Sequence, residues 1–445
     1  GKIHPCQQRR KAIVNKEKSA SRRFLTVLVI ILCALVITCS VTGGGTFFGG
    51  GINPVTSDTV QSALAADKAS DGADVKGLSA YGLSDYSDIK GVWINYLEFG
   101  EMIRGKTAEQ YRSEVEKCLD NIETLNLNTV ILHIRSHCDA FYNSDIFPYS
   151  YQLSGKQGEG CGFDPLSEFI TLAHNRNIRV EGWINPYRAA SGKSGLSGIA
   201  QNSPIWDFSF EKGEIVTIDT GTYLNPSSEK STELIVKGVK EVIDRYTVDG
   251  IQFDDYFYPA ADQSFDSALY EQYSASTENP LSLEDFRRQS VSKMLKAVYD
   301  QVSQKKELTF SVSPAADISK DTDVLFADVK EWCKGGYCDY ICPQIYFGYE
   351  YPKEGFDFSS LLWAWQSLCN DSGRNVGLTI GLAPYKIGKT DGGSDEWKQS
   401  TDILKRQAEQ AKTVGAGICF YNYSSLFADS ELAAAQRENL KGAMG

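Results

Sequence analysis

Histidine is scarce in this chain: four residues in 445, one of which, His4, falls in a basic N-terminal stretch. A three-histidine zinc centre would consume His133, His137 and His174 together, and His174 lies within a helical pattern, so zinc chemistry is not expected. The eleven cysteines show none of the close pairings that hold metals. Cys333 and Cys338 enclose "KGGY", and Cys138 and Cys161 flank one loop; either pair suits a disulfide in an oxidising space or two free thiols. No Gly-rich phosphate fingerprint follows the first strand pattern, which removes the usual sign of a dinucleotide site, and no cofactor is expected. Basic residues are short outside the N-terminus. Residues 1–23 carry eight Lys and Arg against Glu17 alone, yet the whole chain stands at −12, so the remainder is strongly acidic. It lacks the cationic face that nucleic acid requires.

One long uncharged run exists, within "RRFLTVLVIILCALVITCSVTGGG". About 18–20 apolar residues cross a bilayer as a helix, and basic residues on one flank hold that end in the cytoplasm. Residues 24–42 are therefore expected to form a transmembrane helix or signal anchor. Residues 1–23 become a cytoplasmic tail, and the rest of the chain lies outside the cell. A cleaved signal peptide, or a lipoprotein signal ending at Cys39, is the alternative. Residues 43–88, rich in Gly, Ser, Asp and Ala, read as a flexible linker.

From residue 89 to 445 the pattern is regular. Strands are expected over 91–99, 128–135, 178–185, 250–257, 308–315, 340–347, 375–384 and 415–423. Helices are expected over 107–125, 164–177 (Asp164 as N-cap, Pro165 in the first turn), 231–246, 284–304, 321–334, 358–371, 396–414 and 429–442. The strands are apolar runs, as in sheets covered on both faces. Eight strand–helix repeats predict an α/β fold, a (β/α)8 TIM barrel; an open doubly wound sheet is the runner-up.

In such a barrel the loops after the strands build the active face. The segment "VDGIQFDDYFYP" (248–259) is the most informative. Alternation sends Ile251 and Phe253 toward the helices and leaves Gln252 and Asp254 directed into the mouth. Carboxylates beside aromatics and amides suit glycoside cleavage. Asp254 is the candidate nucleophile or transition-state stabiliser, and Asp255, Glu181, Asp317 and Glu350 are candidate proton donors. Trp183, Tyr256, Tyr346 and Tyr421 are candidates to stack on sugar faces. Trp93, Asn95, His133, Arg135, Asn185, Tyr187, Arg188, Gln252, Gln344 and Asn422 complete the candidate substrate contacts.

The stretches "KGVWINYLEF", "NTVILHIRSHCDAFYNSDIFPYS", "DPLSEFITLAHNRNIRVEGWINPYR", "YLNPSSE", "VDGIQFDDYFYP", "SVSPAADI", "CPQIYFGYE" and "GLAPYKIG" together resemble the glycosyl-hydrolase-like family ten domain of bacterial envelope proteins. The resemblance runs from about residue 88 to 430. It implies a (β/α)8 fold and hydrolysis of a glycan, with peptidoglycan strands stripped of their peptides as the substrate of at least one similar enzyme. It carries over Asp254, with its neighbours as candidates. The same run is similar to the chitinase signature at Asp249, Gly250 and Asp254, but the catalytic glutamate is replaced by Tyr256 and the middle aspartate by Gln252. Tyrosine, with a pKa of about 10, is a poor acid for a glycosidic oxygen. Chitinase-type chemistry is therefore not expected. "DGIQFD" is also similar to the α-amylase-type strand whose last aspartate is a nucleophile, and this again selects Asp254. The alternative function is a sugar-binding or envelope-organising barrel without catalysis.

Overall fold

The computed structural model describes residues 76–192, 196–259 and 262–444. The expected cytoplasmic tail, membrane helix and most of the linker lie outside the described residues. Among the described residues, no helix is long and apolar enough to cross a membrane.

The strands in chain order are β1 (Lys90–Ile94), β2 (Thr129–Arg135), β3 (Arg179–Ile184), β4 (Arg188–Ser191), β5 (Ile215–Ile218), β6 (Gly221–Leu224), β7 (Gly250–Phe253), β8 (Thr309–Val312), β9 (Tyr340–Ile341), β10 (Gly377–Leu382) and β11 (Gly417–Phe420). Eight of them close a barrel in the order β1, β2, β3, β7, β8, β9, β10, β11, and every neighbour pairs in parallel. This is the (β/α)8 architecture, and the open sheet is excluded by the β1–β11 pairing. β4, β6 and β5 form a separate antiparallel sheet in the excursion between β3 and β7, which the sequence pattern does not reveal.

Local chemistry sets where the elements stop. β1 is shorter than its apolar run because Asn95 caps the helix Tyr96–Ile103, its Oδ1 accepting the N–H groups of Leu97 and Glu98, with Glu98 returning a bond to the Asn95 N–H. Asp164 caps the helix Pro165–His174 as its spacing predicts, accepting from the Ser167 N–H at 3.1 Å. The expected helix 321–334 divides into Ile318–Asp323 and Val329–Gly335, and 396–414 into Glu396–Gln399 and Ile403–Thr413. Residues 76–88, read from sequence as the end of the linker, belong to the barrel: Leu78 and Tyr86 are buried with Ile89 beneath the interior side chains. There Lys76 pairs with Asp339 at 2.8 Å and Tyr81 donates to Asp249 at 2.6 Å.

Two packed regions result. One lies between the strands and the helical ring; the other fills the barrel interior with Trp93, Ile131, Trp183, Tyr340, Cys342 and Cys419. The interior is partly polar. Glu181 pairs with Arg179 at 3.1 Å, and both are fully enclosed. Glu181 also accepts from Tyr340 Oη (2.7 Å), Thr309 Oγ1 (3.1 Å) and Ser311 Oγ (3.3 Å). Above it, Gln252 donates to Ser311 Oγ (3.0 Å) and accepts from Trp93 Nε1 (2.7 Å). All eight described cysteines are free thiols, seven of them buried.

Breaking a buried pair leaves one charge uncompensated, at a cost of about 3–5 kcal/mol. Glu181→Ala should therefore lose stability on that scale in denaturant titration. A double variant, Arg179→Met with Glu181→Leu, should lose markedly less.

Candidate active site

The fourth barrel strand shows how the mouth is built. At its start, Asp249 accepts from the Val180 N–H at 2.7 Å and lies 2.9 Å from His174 Nε2, stapling β7 to its neighbours at the closed end. Gly250 comes next because a Cβ there would sit 2.3 Å from Thr309 Oγ1 and 3.2 Å from the Glu181 carboxyl carbon. Ile251 and Phe253 face outward into the helix-side core, Phe253 meeting Phe310 edge-on at 5.2 Å. Gln252 and Asp254 take the inward face, so the alternation holds. Gln252, however, lies one layer below the mouth, fully buried against Trp93, Ser311 and Tyr340.

Asp254 ends this inward row. Its Oδ2 accepts from Trp183 Nε1 (2.9 Å) and Asn185 Nδ2 (3.3 Å), and its Oδ1 accepts the Tyr256 N–H (3.3 Å). Only 4% of it is exposed. Burial pushes its pKa up to about 7, with the charge of Asp255 adding to the rise and Arg188 and the Trp183 bond opposing it. Asp255 turns to the opposite wall, where Gln344 Nε2 donates to its Oδ1 at 3.1 Å and also to the Ser313 carbonyl at 3.1 Å. Burial raises its carboxyl pKa too, against the pull of Lys320. The two adjacent carboxyl groups are thus held by different walls, Asp254 by β3 and its loop, Asp255 by the segment after β9. A carboxylic acid protonated near neutral pH beside a second acid in a different environment is an arrangement that separates acid and base roles.

Aromatic side chains frame this pair. Tyr346 stacks on Tyr421 (5.6 Å, 24°), Tyr421 stands edge-on to Trp93 and Trp183, and Tyr385 meets both Tyr346 and Tyr421 edge-on. The Tyr421–Asn422 peptide is cis. His133 stacks on Trp183 at 3.6 Å, Tyr96 lies edge-on to both His133 and His137, and neither ring nitrogen of His133 has a partner among the described residues. Burial, with Arg188 adding, lowers the pKa of both imidazoles, that of His137 to about 3. Tyr256 is 52% exposed, and the Arg188 guanidinium carbon sits 4.7 Å from its ring centre.

The structure gathers Asp254, Asp255, His133, Trp183, Asn185, Arg188, Tyr256, Gln344, Tyr346 and Tyr421 from the expected set. Others are placed elsewhere. Glu181 is sealed in the barrel by its pair with Arg179, and Trp93 is spent on Gln252. Arg135 points outward and packs its guanidinium on Phe147 at 4.4 Å; Tyr187 is likewise buried in the helix-side core. Asn95 and Asp317 are helix caps, Asp317 accepting from the Ser319 N–H and bordering a groove on the outer flank of the barrel. Glu350 is exposed, and its carboxylate accepts from Ser394 Oγ at 3.5 Å. Asn422 stands at the N-cap position of the short helix Tyr423–Leu426 without a side-chain capping bond, its side chain turned to Glu98. Glu98, absent from the expected set, joins the loop after β1 to the loop after β11 by accepting from the Ser424 N–H at 2.7 Å. Its signal was the capping pattern in "NYLE". Lys320, which faces Asp255, lies in a polar helix that nothing in the sequence marks.

A closed parallel barrel whose mouth joins two carboxyl groups to a wall of tyrosine and tryptophan has the make-up of a carbohydrate-active barrel. Residues 88–399 match the family described as glycosyl hydrolase-like 10, and the chain belongs to that family. It is 32% identical to glycosyl hydrolase YngK of Bacillus subtilis over 303 residues, which are 64% of this chain and 58% of that protein, so it spans less than two thirds of YngK. It is 31% identical to glycosyl hydrolase DigH of Escherichia coli O6:H1 over 324 residues, 67% of this chain and 72% of DigH. Among solved structures, the glycoside hydrolase domain of PgaB (BpsB) from Bordetella bronchiseptica shares the fold, with a TM-score of 0.51 at 13% identity over 79% of this chain and 98% of that one.

The raised pKa of Asp254 is also a statement about stability. The unfolded carboxyl loses its proton near pH 4, whereas the folded one keeps it until about pH 7, so the stabilisation present at low pH is lost as pH rises through that window. The span corresponds to at most about 4 kcal/mol. Asp254→Asn should therefore be more stable than the wild type at pH 8, with the difference shrinking toward pH 4 in denaturation curves.

Proposed function

We propose that this chain is a glycoside hydrolase anchored at the cell membrane, with its barrel outside the cell, cleaving cell-wall glycan and in particular peptidoglycan strands. The observation that carries the chemistry is the Asp254–Asp255 pair, two acids held by opposite walls of a mouth framed by aromatic side chains. The uncharged run at 24–41 with its basic flank supports the anchor, and an anchored, outward-facing barrel meets wall glycan as its nearest polysaccharide. Family membership supports the reaction class.

In this reading Asp254 carries the proton at neutral pH and gives it to the glycosidic oxygen as the bond breaks. The sequence alone assigns it the ionised role; burial and the neighbouring charge argue for the protonated one. Asp255, steadied by Gln344 and Lys320, supplies the negative charge toward the anomeric carbon. Trp183 and Asn185 aim the Asp254 carboxyl, and Tyr256 and Tyr421 offer faces to the sugar rings. A barrel that holds glycan without cleaving it is the second reading. It is favoured by one observation: Glu181 and Asp317 are engaged elsewhere, and among the described residues no hydrogen bond joins Glu350 to the Asp254–Asp255 pair.

The purified protein, incubated with glycan strands freed of peptides, should release new reducing ends. Asp254→Asn should reduce the rate by at least about 100-fold, the scale of a lost proton donor. Undiminished release in that variant would remove the site assignment, and binding without release by the wild type would establish the second reading. Cleavage of a storage polysaccharide alone would overturn the wall substrate. As the pH rises through about 7, kcat/KM should fall, because the proton on Asp254 is then lost.

A further inference from the structure

The mouth contains a cation with no anion to grip. Arg188 opens β4, in the excursion after β3, and among the described residues no carboxylate lies within ion-pair distance of its guanidinium. Its guanidinium rests on the exposed Tyr256 ring at 4.7 Å. The Arg188 backbone is held relative to the acids: Asn185 Oδ1 accepts the Arg188 backbone N–H at 3.1 Å, while Nδ2 of the same side chain donates to Asp254 at 3.3 Å. One amide therefore sets the register between the proton-bearing acid and the arginine.

The charges facing Arg188 are Asp254, Asp255, His133 and His137. Both imidazoles are neutral, and Asp254 is largely protonated below neutrality. Asp255 faces two cations, Arg188 and Lys320, without an ion-pair contact to either among the described residues. A guanidinium carbon 4.7 Å from the ring centre packs against the aromatic side chain, and the planar fork of arginine matches a carboxylate through two parallel hydrogen bonds.

We propose that Arg188, presented by Tyr256, binds a carboxylate borne by the sugar next to the scissile bond, and so selects acidic glycan over neutral glycan. This rests on the mouth being a glycan cleft and deepens that reading. The carboxylate has two possible chemical sources, a lactyl ether on an amino sugar or the C6 carboxylate of a uronic acid, and the experiment separates them.

Binding by calorimetry and release of reducing ends are measured for the full chain with four probes. These are a lactyl-ether amino-sugar tetrasaccharide, a uronate tetrasaccharide, and the methyl ester of each. The wild type should bind at least one acid form about 10–100-fold more tightly than its ester, the range for hydrogen bonds to a charged group. Arg188→Gln should abolish that ratio, and Arg188→Lys should keep part of it. Preference for the lactyl or the uronate acid identifies the source. Equal handling of acid and ester by the wild type, or an unchanged ratio in Arg188→Gln, overturns the proposal while any cleavage leaves the hydrolase reading standing. Acid-selective binding lost in Arg188→Gln, without cleavage of any probe, sustains the carboxylate subsite and overturns the hydrolase. Should Arg188→Gln lose its native circular dichroism, Arg188→Lys and Tyr256→Leu decide: both must narrow the acid-to-ester ratio, and an unchanged ratio in both overturns the proposal.

Discussion

The Arg179–Glu181 pair at the centre of the barrel is the constraint on which the site depends. Two opposite charges with no exposure must satisfy each other, and Glu181 must find further donors for its remaining lone pairs. It finds them on β8 and β9, through Thr309, Ser311 and Tyr340. Three strands, β3, β8 and β9, are thereby locked in register, because a slip by one residue would turn these side chains out of the interior. Gln252 caps this column and receives Trp93, and the next inward residue on the same strand is Asp254. The position of the acid at the mouth is thus inherited from polar packing two residues below it.

Asp254 is held in a state that water would not choose. Trp183, Asn185 and the Tyr256 amide all donate to it, as they would to a carboxylate, yet enclosure and Asp255 favour the neutral form. A group balanced between two protonation states by opposing forces suits proton transfer and weakens the fold that holds it. The same opposition appears around Asp321, fully buried near Asp255, with one oxygen that has no partner among the described residues and its carboxyl pKa raised by burial and by Asp255.

Much of the barrel was legible because its signals are local. Apolar runs of strand length, a helix cap such as Asp164 followed by Pro165, and period-two alternation through Ile251, Gln252, Phe253 and Asp254 need no tertiary information. Depth along the barrel axis was not legible. Glu181 and Trp183 are two residues apart on one strand and share a face, yet one is sealed beneath the other, and only the closed register reveals which. Likewise Asn95 and Asp317 carry the residue types of a binding site, but backbone N–H groups at nearby helix starts claim their oxygens first. The excursion that bears Arg188 was missed because β4, β5 and β6 are only four residues each. Their pairing is non-local, and it is visible only once the barrel brings the ends together.

The free thiols within the walls have a consequence for how the protein reaches its folded form. Native packing shields seven of the eight described cysteines, so the finished barrel offers little to an oxidant. A chain delivered unfolded into an oxidising compartment offers all of them, and a bridge formed there between distant thiols would trap a topology in which β9 and β11 cannot meet their neighbours, since Cys342 and Cys419 must end side by side in the interior. For the exported barrel proposed above, folding would be a race between burial and cross-linking, and a host with strong disulfide-forming machinery would need either rapid collapse of the chain or an isomerase to undo its mistakes.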